Sequence, residues 1–185
     1  YFRSDILSLF KSFGKTVKST NYFTDFKHYN NQGVNEKVII FIVISTIISG
    51  LLGYLFLDLI KTYESDILET SKLVTFGIGF FLIITGTLQL TAKRSGVKSE
   101  KNLTIKDGIL LGIVQGFAVF PGLSRSGLTV SALLFRKFDD TTSLRLSFLM
   151  SMPIVLLGNI ILNLDKFVLS LPNLVGLTAS FVIGL

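Results

Sequence analysis

The stretch Gly112-Ile-Val-Gln115-Gly116-Phe-Ala-Val-Phe120-Pro121-Gly122-Leu-Ser124-Arg125-Ser126-Gly127-Leu-Thr129 decides how this chain is read. It sets one arginine among hydroxyls and glycines, between two runs too apolar for a water-filled loop. Gly108 to Phe120 is dominated by apolar residues over 13 positions, and Leu128 to Phe135 over only eight. A crossing helix needs about 20 residues at 1.5 Å each to span roughly 30 Å of hydrocarbon, so neither run crosses alone. Two half-length helices meeting at a Pro-Gly-Leu-Ser-Arg-Ser-Gly turn predict a re-entrant hairpin. Irregular backbone survives at membrane depth only inside protein or beside a wet cavity, so the apex is expected to be buried and functional. The competing arrangement is one long helix broken at Pro121, which carries Arg125 across the bilayer; the glycines at 122 and 127 favour a turn over a kink.

Composition agrees with a membrane setting. The 185 residues are 49% hydrophobic and 16% charged, with a mean hydropathy of +0.63, whereas soluble domains carry about a quarter charged residues. The net charge of +6 comes from Lys and Arg spread through loops that flank apolar runs. Membrane topology explains that spread better than a nucleic-acid-binding face does, and no nucleic-acid partner is expected. Cysteine is absent, which excludes disulfides, thiolate metal sites and a cysteine nucleophile. The single histidine, His28, lies in the polar run Phe26-Lys27-His28-Tyr29 and reads as a surface residue, since no second histidine or carboxylate stands at ligand spacing. The chain opens on Tyr1 and stops at Leu185 inside an apolar run, which reads as a piece of something longer.

Working outward, residues 38–60 and 73–92 read as spanning helices, the second with Gly77, Gly79 and Gly86 available for close helix contact. A third span covers 144–164 and contains Pro153, expected to kink it; a fourth, 174–185, is cut short. Residues 108–135 form the hairpin. Residues 1–37 read as a cytoplasmic or interfacial segment, in which Phe2, Ile6, Leu9, Phe10 and Phe13 suggest either an amphipathic helix in the headgroup plane or the frayed end of a preceding span. Arg3, Lys11, Lys15, Lys18, Lys27 and Lys37 place this segment in the cytoplasm, together with the basic stretch 93–107. A hairpin that returns to its own side then keeps Arg136, Lys137 and Arg145 inside as well.

Arg125 is the residue expected to carry chemistry. Its planar guanidinium matches two phosphate oxygens at once, and an ionisable residue at membrane depth marks a substrate site by default. The alternative is an internal ion pair, but the nearest acids, Asp107, Asp139 and Asp140, fall at positions read as loop. Ser124, Ser126 and Thr129 add hydroxyls, and Gly122 and Gly127 let backbone approach a ligand. A helix starting near Ser126 would also point its first amides at the anion, with Ser124 or Ser126 as its cap. Gln115 stands beside a smooth face made by Gly108, Gly112 and Gly116, and suits either an interhelical bond or a substrate contact.

Gln115-Gly116 followed by Pro121-Gly122-Leu-Ser124-Arg125-Ser126-Gly127-Leu-Thr129 closely resembles the second signature of the undecaprenyl-diphosphate phosphatases, the bacitracin-resistance family. The span ending Gly53-Tyr-Leu-Phe-Leu-Asp58 and the run Ser147-Phe148-Leu149-Met-Ser-Met-Pro153 are also similar to family positions. The resemblance implies an all-α, multi-pass cell-membrane protein in which two inverted repeats each supply a re-entrant helix pair to one site. It implies hydrolysis of undecaprenyl diphosphate to undecaprenyl phosphate, which recycles the lipid carrier for cell-wall polymers and confers bacitracin resistance. The partners it implies are a polyprenyl diphosphate and membrane lipids, reached from the extracytoplasmic side, and pairing into a homodimer is a further expectation. Arg125 would bind the diphosphate and stabilise charge, Ser124 and Ser126 would touch phosphate, and Gly122, Gly127, Thr129 and Gln115 would complete the substrate site. The family's first signature, of the type E-G-x-T-E-F-x-P-x-S-S-T followed by histidine, is absent from these residues, and Gln115 stands where that repeat has a glutamate. The catalytic acid and base, and the ligands of any divalent metal such as Mg or Ca, are therefore expected outside this stretch, which by itself is expected to be inert. A lipid-phosphate transporter or flippase using the same broken-helix site is the alternative function.

Overall fold

The computed structural model describes residues 33–62, 71–92, 96–163, 175, 176 and 178. The tail before Gly33 with His28, and nearly all of 164–185, lie outside them. All regular structure among the described residues is helical: α1 (Val34–Thr62), α2 (Ser71–Thr91), a 3-10 turn (Glu100–Asn102), α3 (Ile105–Phe117), α4 (Arg125–Phe135) and α5 (Asp140–Asn163). An isolated bridge between Lys98 and Phe138 is the one β-type pairing among them. Two compact units are present, Tyr1–Ile154 and Val155–Leu185. Among the described residues the second comprises the end of α5 together with Val175, Gly176 and Thr178; the short helices α3 and α4 and the helices packed on them belong to the first.

Among the described residues, three helices are long and apolar enough to cross a membrane, within Val34–Ile60, Val74–Thr91 and Asp140–Ile160. Their side chains stay largely uncovered by protein. Phe76, Leu82 and Ile83 of α2 are 74, 56 and 69% exposed, and the spanning window of α2 is only 6% buried. In water, apolar area of that extent costs about 25 cal/mol per Å²; in lipid the same surface is at no disadvantage. The protein is a multi-pass membrane protein.

α3 and α4 are short because both ends of each are specified. Thr104 caps α3: its hydroxyl accepts from the Asp107 amide at 3.3 Å, and the Asp107 carboxylate accepts from the Thr104 amide at 3.0 Å. This reciprocal box starts the helix at Ile105, ahead of the apolar run at Gly108. Asp107, read from sequence as a loop residue, is therefore in the first helical turn and 1% exposed. At the other end, α4 closes in a Schellman arrangement, with the Phe138 amide donating to the Leu133 carbonyl and the Lys137 amide to that of Leu134. Lys137 holds the left-handed position usually given to glycine, φ 68°. Phe138 and Leu133 enter the core together with Val38, Phe41, Leu103, Leu111, Leu146 and Met150.

The chain doubles back between α3 and α4. Arg136, just past α4, donates from Nε to the Asp107 carboxylate at 2.7 Å, so the start of one helix lies against the end of the other. That pairing excludes a single helix broken at Pro121. The glycine stripe of α3 packs on α1: a Cβ at Gly112 would sit 2.8 Å from Cβ of Ile48, and one at Gly116 2.7 Å from Cβ of Leu52. A packing partner for that face is thus within this chain. Gly77, Gly79 and Gly86 of α2, expected to make close contacts, have nothing within 4 Å of an added Cβ among the described residues. α5 continues as a helix through Pro153.

Candidate functional site

The turn at the hairpin tip is built from Phe120-Pro121-Gly122-Leu123. The Leu123 amide donates to the Phe120 carbonyl at 3.2 Å, and Gly122 has φ +95°, the combination that a type II turn requires after proline. Glycine is demanded twice here, since a Cβ would also stand 2.6 Å from the Ile78 carbonyl oxygen of α2. Phe120 anchors the turn, its ring centroid 5.0 Å from Phe56 of α1 and 5.8 Å from Phe81 of α2.

Ser124 caps α4, its hydroxyl accepting from the Gly127 amide at 3.2 Å. Its own amide donates to Thr85 Oγ1 on α2 at 3.4 Å. The cap makes Arg125 the first residue of the helix, so the guanidinium leaves from the positive end of the helix, where backbone amides lack intrahelical partners. Arg125 is half-buried. No carboxylate among the described residues pairs with it: Asp107 is taken by Arg136, Glu100 by Arg145, and Asp139 caps α5. Arg125 forms no ion pair with Asp107, Asp139 or Asp140, the acids nearest to it in sequence. Arg125 lines a mostly apolar cleft of about 190 Å³ with Ser126, Val130, Leu144, Ser147, Phe148 and Ser151.

Ser126 is exposed and borders that cleft as well as a second one of about 340 Å³ that contains Gln89, Gly127, Ser131 and Asp140. Thr129 is 1% exposed. Its hydroxyl lies 2.9 Å from the Arg125 carbonyl and 2.6 Å from Ser147 Oγ, tying α4 to α5. Gly122 and Gly127 act as space, the first for the backbone of α2 and the second for the Gln89 amide and Thr85. Gln115 belongs to a different contact: its Nε2 donates to Ser49 Oγ of α1 at 3.0 Å, and its carbonyl oxygen is buried without a partner among the described residues. The interhelical bond, one of the two roles open to Gln115, is formed.

Arg125, Ser124, Ser126 and Gly127 are thus brought together with one side of the α4 start, while Thr129 and Gln115 bind other helices. Sequence reasoning passed over Thr85 and Gln89. Their signal was legible, two polar residues one helical turn apart in an apolar helix. Ser147 carried no such signal, because serine in a membrane helix commonly bonds its own backbone. Among the described residues no three His, Cys, Asp or Glu side chains form a metal ligand set. The groups around Arg125 are a cation and hydrogen-bond donors, which suit an anion and do not fit a divalent metal.

A family model described as bacitracin resistance protein BacA matches residues 1–185. The chain belongs to that family. Its relatives include an undecaprenyl-diphosphatase of Methanococcoides burtonii, 38% identical over all of this chain and 65% of that protein. Another, from Thermotoga petrophila, is 41% identical over 70% of this chain and 52% of the relative. A third, from Haloarcula marismortui, is 31% identical over 100% of this chain and 64% of its own length. The chain therefore spans between about half and two thirds of these relatives. No solved structure matches.

Proposed function

We propose that this chain supplies the phosphate-gripping half of an integral-membrane phosphatase that hydrolyses undecaprenyl diphosphate to undecaprenyl phosphate and inorganic phosphate. The observation that carries this reading is Arg125: a half-buried arginine with no carboxylate partner among the described residues, at the positive end of a helix and next to the exposed Ser126. The names of the relatives supply the substrate class. In this reading α3 and α4 form a re-entrant hairpin that enters and leaves on one face of the bilayer, as one of two inverted repeats. The short lengths of the two helices and the Asp107–Arg136 closure at their open end support that placement.

Hydrolysis breaks the anhydride P–O bond, adds water to the terminal phosphoryl group and returns a proton to solvent. Charge spreads over the transferring oxygens as the bond loosens, and fixed donors stabilise it without reorganising. Arg125 holds two of those oxygens, Ser126 donates a further hydrogen bond, and the helix amides add a positive field. Ser124 acts by holding the turn, its hydroxyl being engaged at Gly127. The carboxylate that orients the nucleophile belongs to the acidic first signature, a run not found in these 185 residues.

The test is phosphate release from a long-chain isoprenyl diphosphate by the full-length protein in detergent. Arg125→Ala is expected to lower kcat by about 10²- to 10³-fold, the scale set by loss of one charge-stabilising donor, and Arg125→Lys to recover only part of it, because an ammonium cannot bind two oxygens in one plane. Near-normal turnover of Arg125→Ala at saturating substrate overturns the assignment. Lipid translocation without phosphate release would instead establish a transporter.

A further inference from the structure

The proposed site uses Arg125 and Ser126 but leaves a polar side chain beside them without a role. α2 is apolar and scarcely buried, yet it turns Thr85 and Gln89, one helical turn apart, toward the start of α4. Thr85 is committed to the turn, its Oγ1 donating to the Phe81 carbonyl and accepting from the Ser124 amide. Gln89 is not committed. Among the described residues its amide has no hydrogen-bond partner, and its Nε2 occupies the space that a side chain at position 127 would need. Glycine within a helix is unfavourable relative to alanine; at 127 the missing Cβ is what admits the Gln89 amide to the first turn of α4.

Gln89 remains exposed to the second cleft, which it lines with Ser126, Gly127 and Ser131. Asp140 lines the same cleft. Ser126 borders both clefts, one shared with Arg125 and the other with Gln89. A diphosphate presents two phosphoryl groups joined by a single oxygen, a shape that donors from two clefts sharing Ser126 would receive. We propose that Gln89 is a second substrate-binding residue, whose amide donates to the phosphoryl group that Arg125 does not hold. This rests on the phosphatase reading above. An amide supplies that contact without placing a second cation in the site.

The experiment measures kcat, KM and inhibition by both products, isoprenyl phosphate and inorganic phosphate, for full-length Gln89→Met, Gln89→Glu and Arg125→Ala. Methionine keeps the length and helix propensity of glutamine and removes its donors. For Gln89→Met, KM is expected to rise about tenfold with kcat within about threefold, the loss of one hydrogen bond to a charged group. Inhibition by one product should weaken and inhibition by the other should not, because Gln89 touches one phosphoryl group only. Gln89→Glu is isosteric and turns donor into anion, so its KM should rise further; it carries the test if Gln89→Met fails to fold. Unchanged KM in either variant, or equal weakening of inhibition by both products, overturns the proposal. If the wild-type protein releases no phosphate, the phosphatase reading itself fails; if Arg125→Ala keeps full turnover, the assignment of Arg125 falls; if that variant is inactive while the Gln89 variants behave as wild type, only the role of Gln89 falls.

Discussion

At the scale of single residues, this protein spends polar side chains on stopping and starting helices. Thr104, Ser124 and Asp139 each stand just before a helix and accept from an amide three positions on. Asp139 also accepts from the Thr142 hydroxyl at 2.7 Å. The Thr142 amide is the main cause that holds the Asp139 carboxyl below its ordinary value, with the Thr142 hydroxyl adding to it. A carboxyl lowered by folding contributes stability that is present above its unfolded value, near ~3.9, and is lost as pH falls through the lower folded value. Thermal unfolding in detergent should therefore show the wild type losing stability below about pH 4 relative to Asp139→Asn, which caps without titrating. Parallel pH profiles for the two would remove that role. Arg125 follows the opposite logic: no carboxylate among the described residues pairs with it.

Between elements, the α1–α3 contact depends on what is missing from side chains. Gly112 and Gly116 bring α3 so close that Ile48 and Leu52 of α1 fill the places of their Cβ atoms. Gln115 then reaches Ser49 across the same seam. Gly112→Ala is expected to destabilise the protein by about 1 to 3 kcal/mol through overpacking, although alanine by itself favours helix by about 1 kcal/mol. Gly79→Ala on α2, where an added Cβ meets nothing within 4 Å among the described residues, should be neutral or stabilising. Unfolding midpoints of the two variants in detergent give the comparison, and equal tolerance at both positions would refute the packing argument. The spacing of Gly108, Gly112 and Gly116 announced a smooth face; which helix covers it depends on a pairing many residues away, beyond any local pattern.

For the molecule as a whole, one buried carboxylate joins the start of α3 to the end of α4. Asp107 accepts from the Thr104 amide and hydroxyl and from Arg136 Nε, so it caps α3 and closes the hairpin's open end together. Asp107→Ala should cost about 2 kcal/mol, set by loss of hydrogen bonds to a buried charge and discounted because Arg136 remains 39% exposed. Asp107→Asn keeps the cap acceptors and should cost about half as much; unfolding midpoints decide it, and an Asp107→Asn midpoint equal to wild type would show that the ion pair contributes nothing. The sequence alone determined the helical, multi-span class, the unusually short pair of helices and the arginine between them, because hydrophobic run length, charge and glycine placement are local properties. Tertiary structure alone decided that Asp107 serves Arg136 and not Arg125, that Thr129 and Gln115 bind neighbouring helices, and that Gln89 comes to lie over Gly127. Those outcomes depend on which helix faces are brought within hydrogen-bond reach, a property of packing that no window of sequence contains.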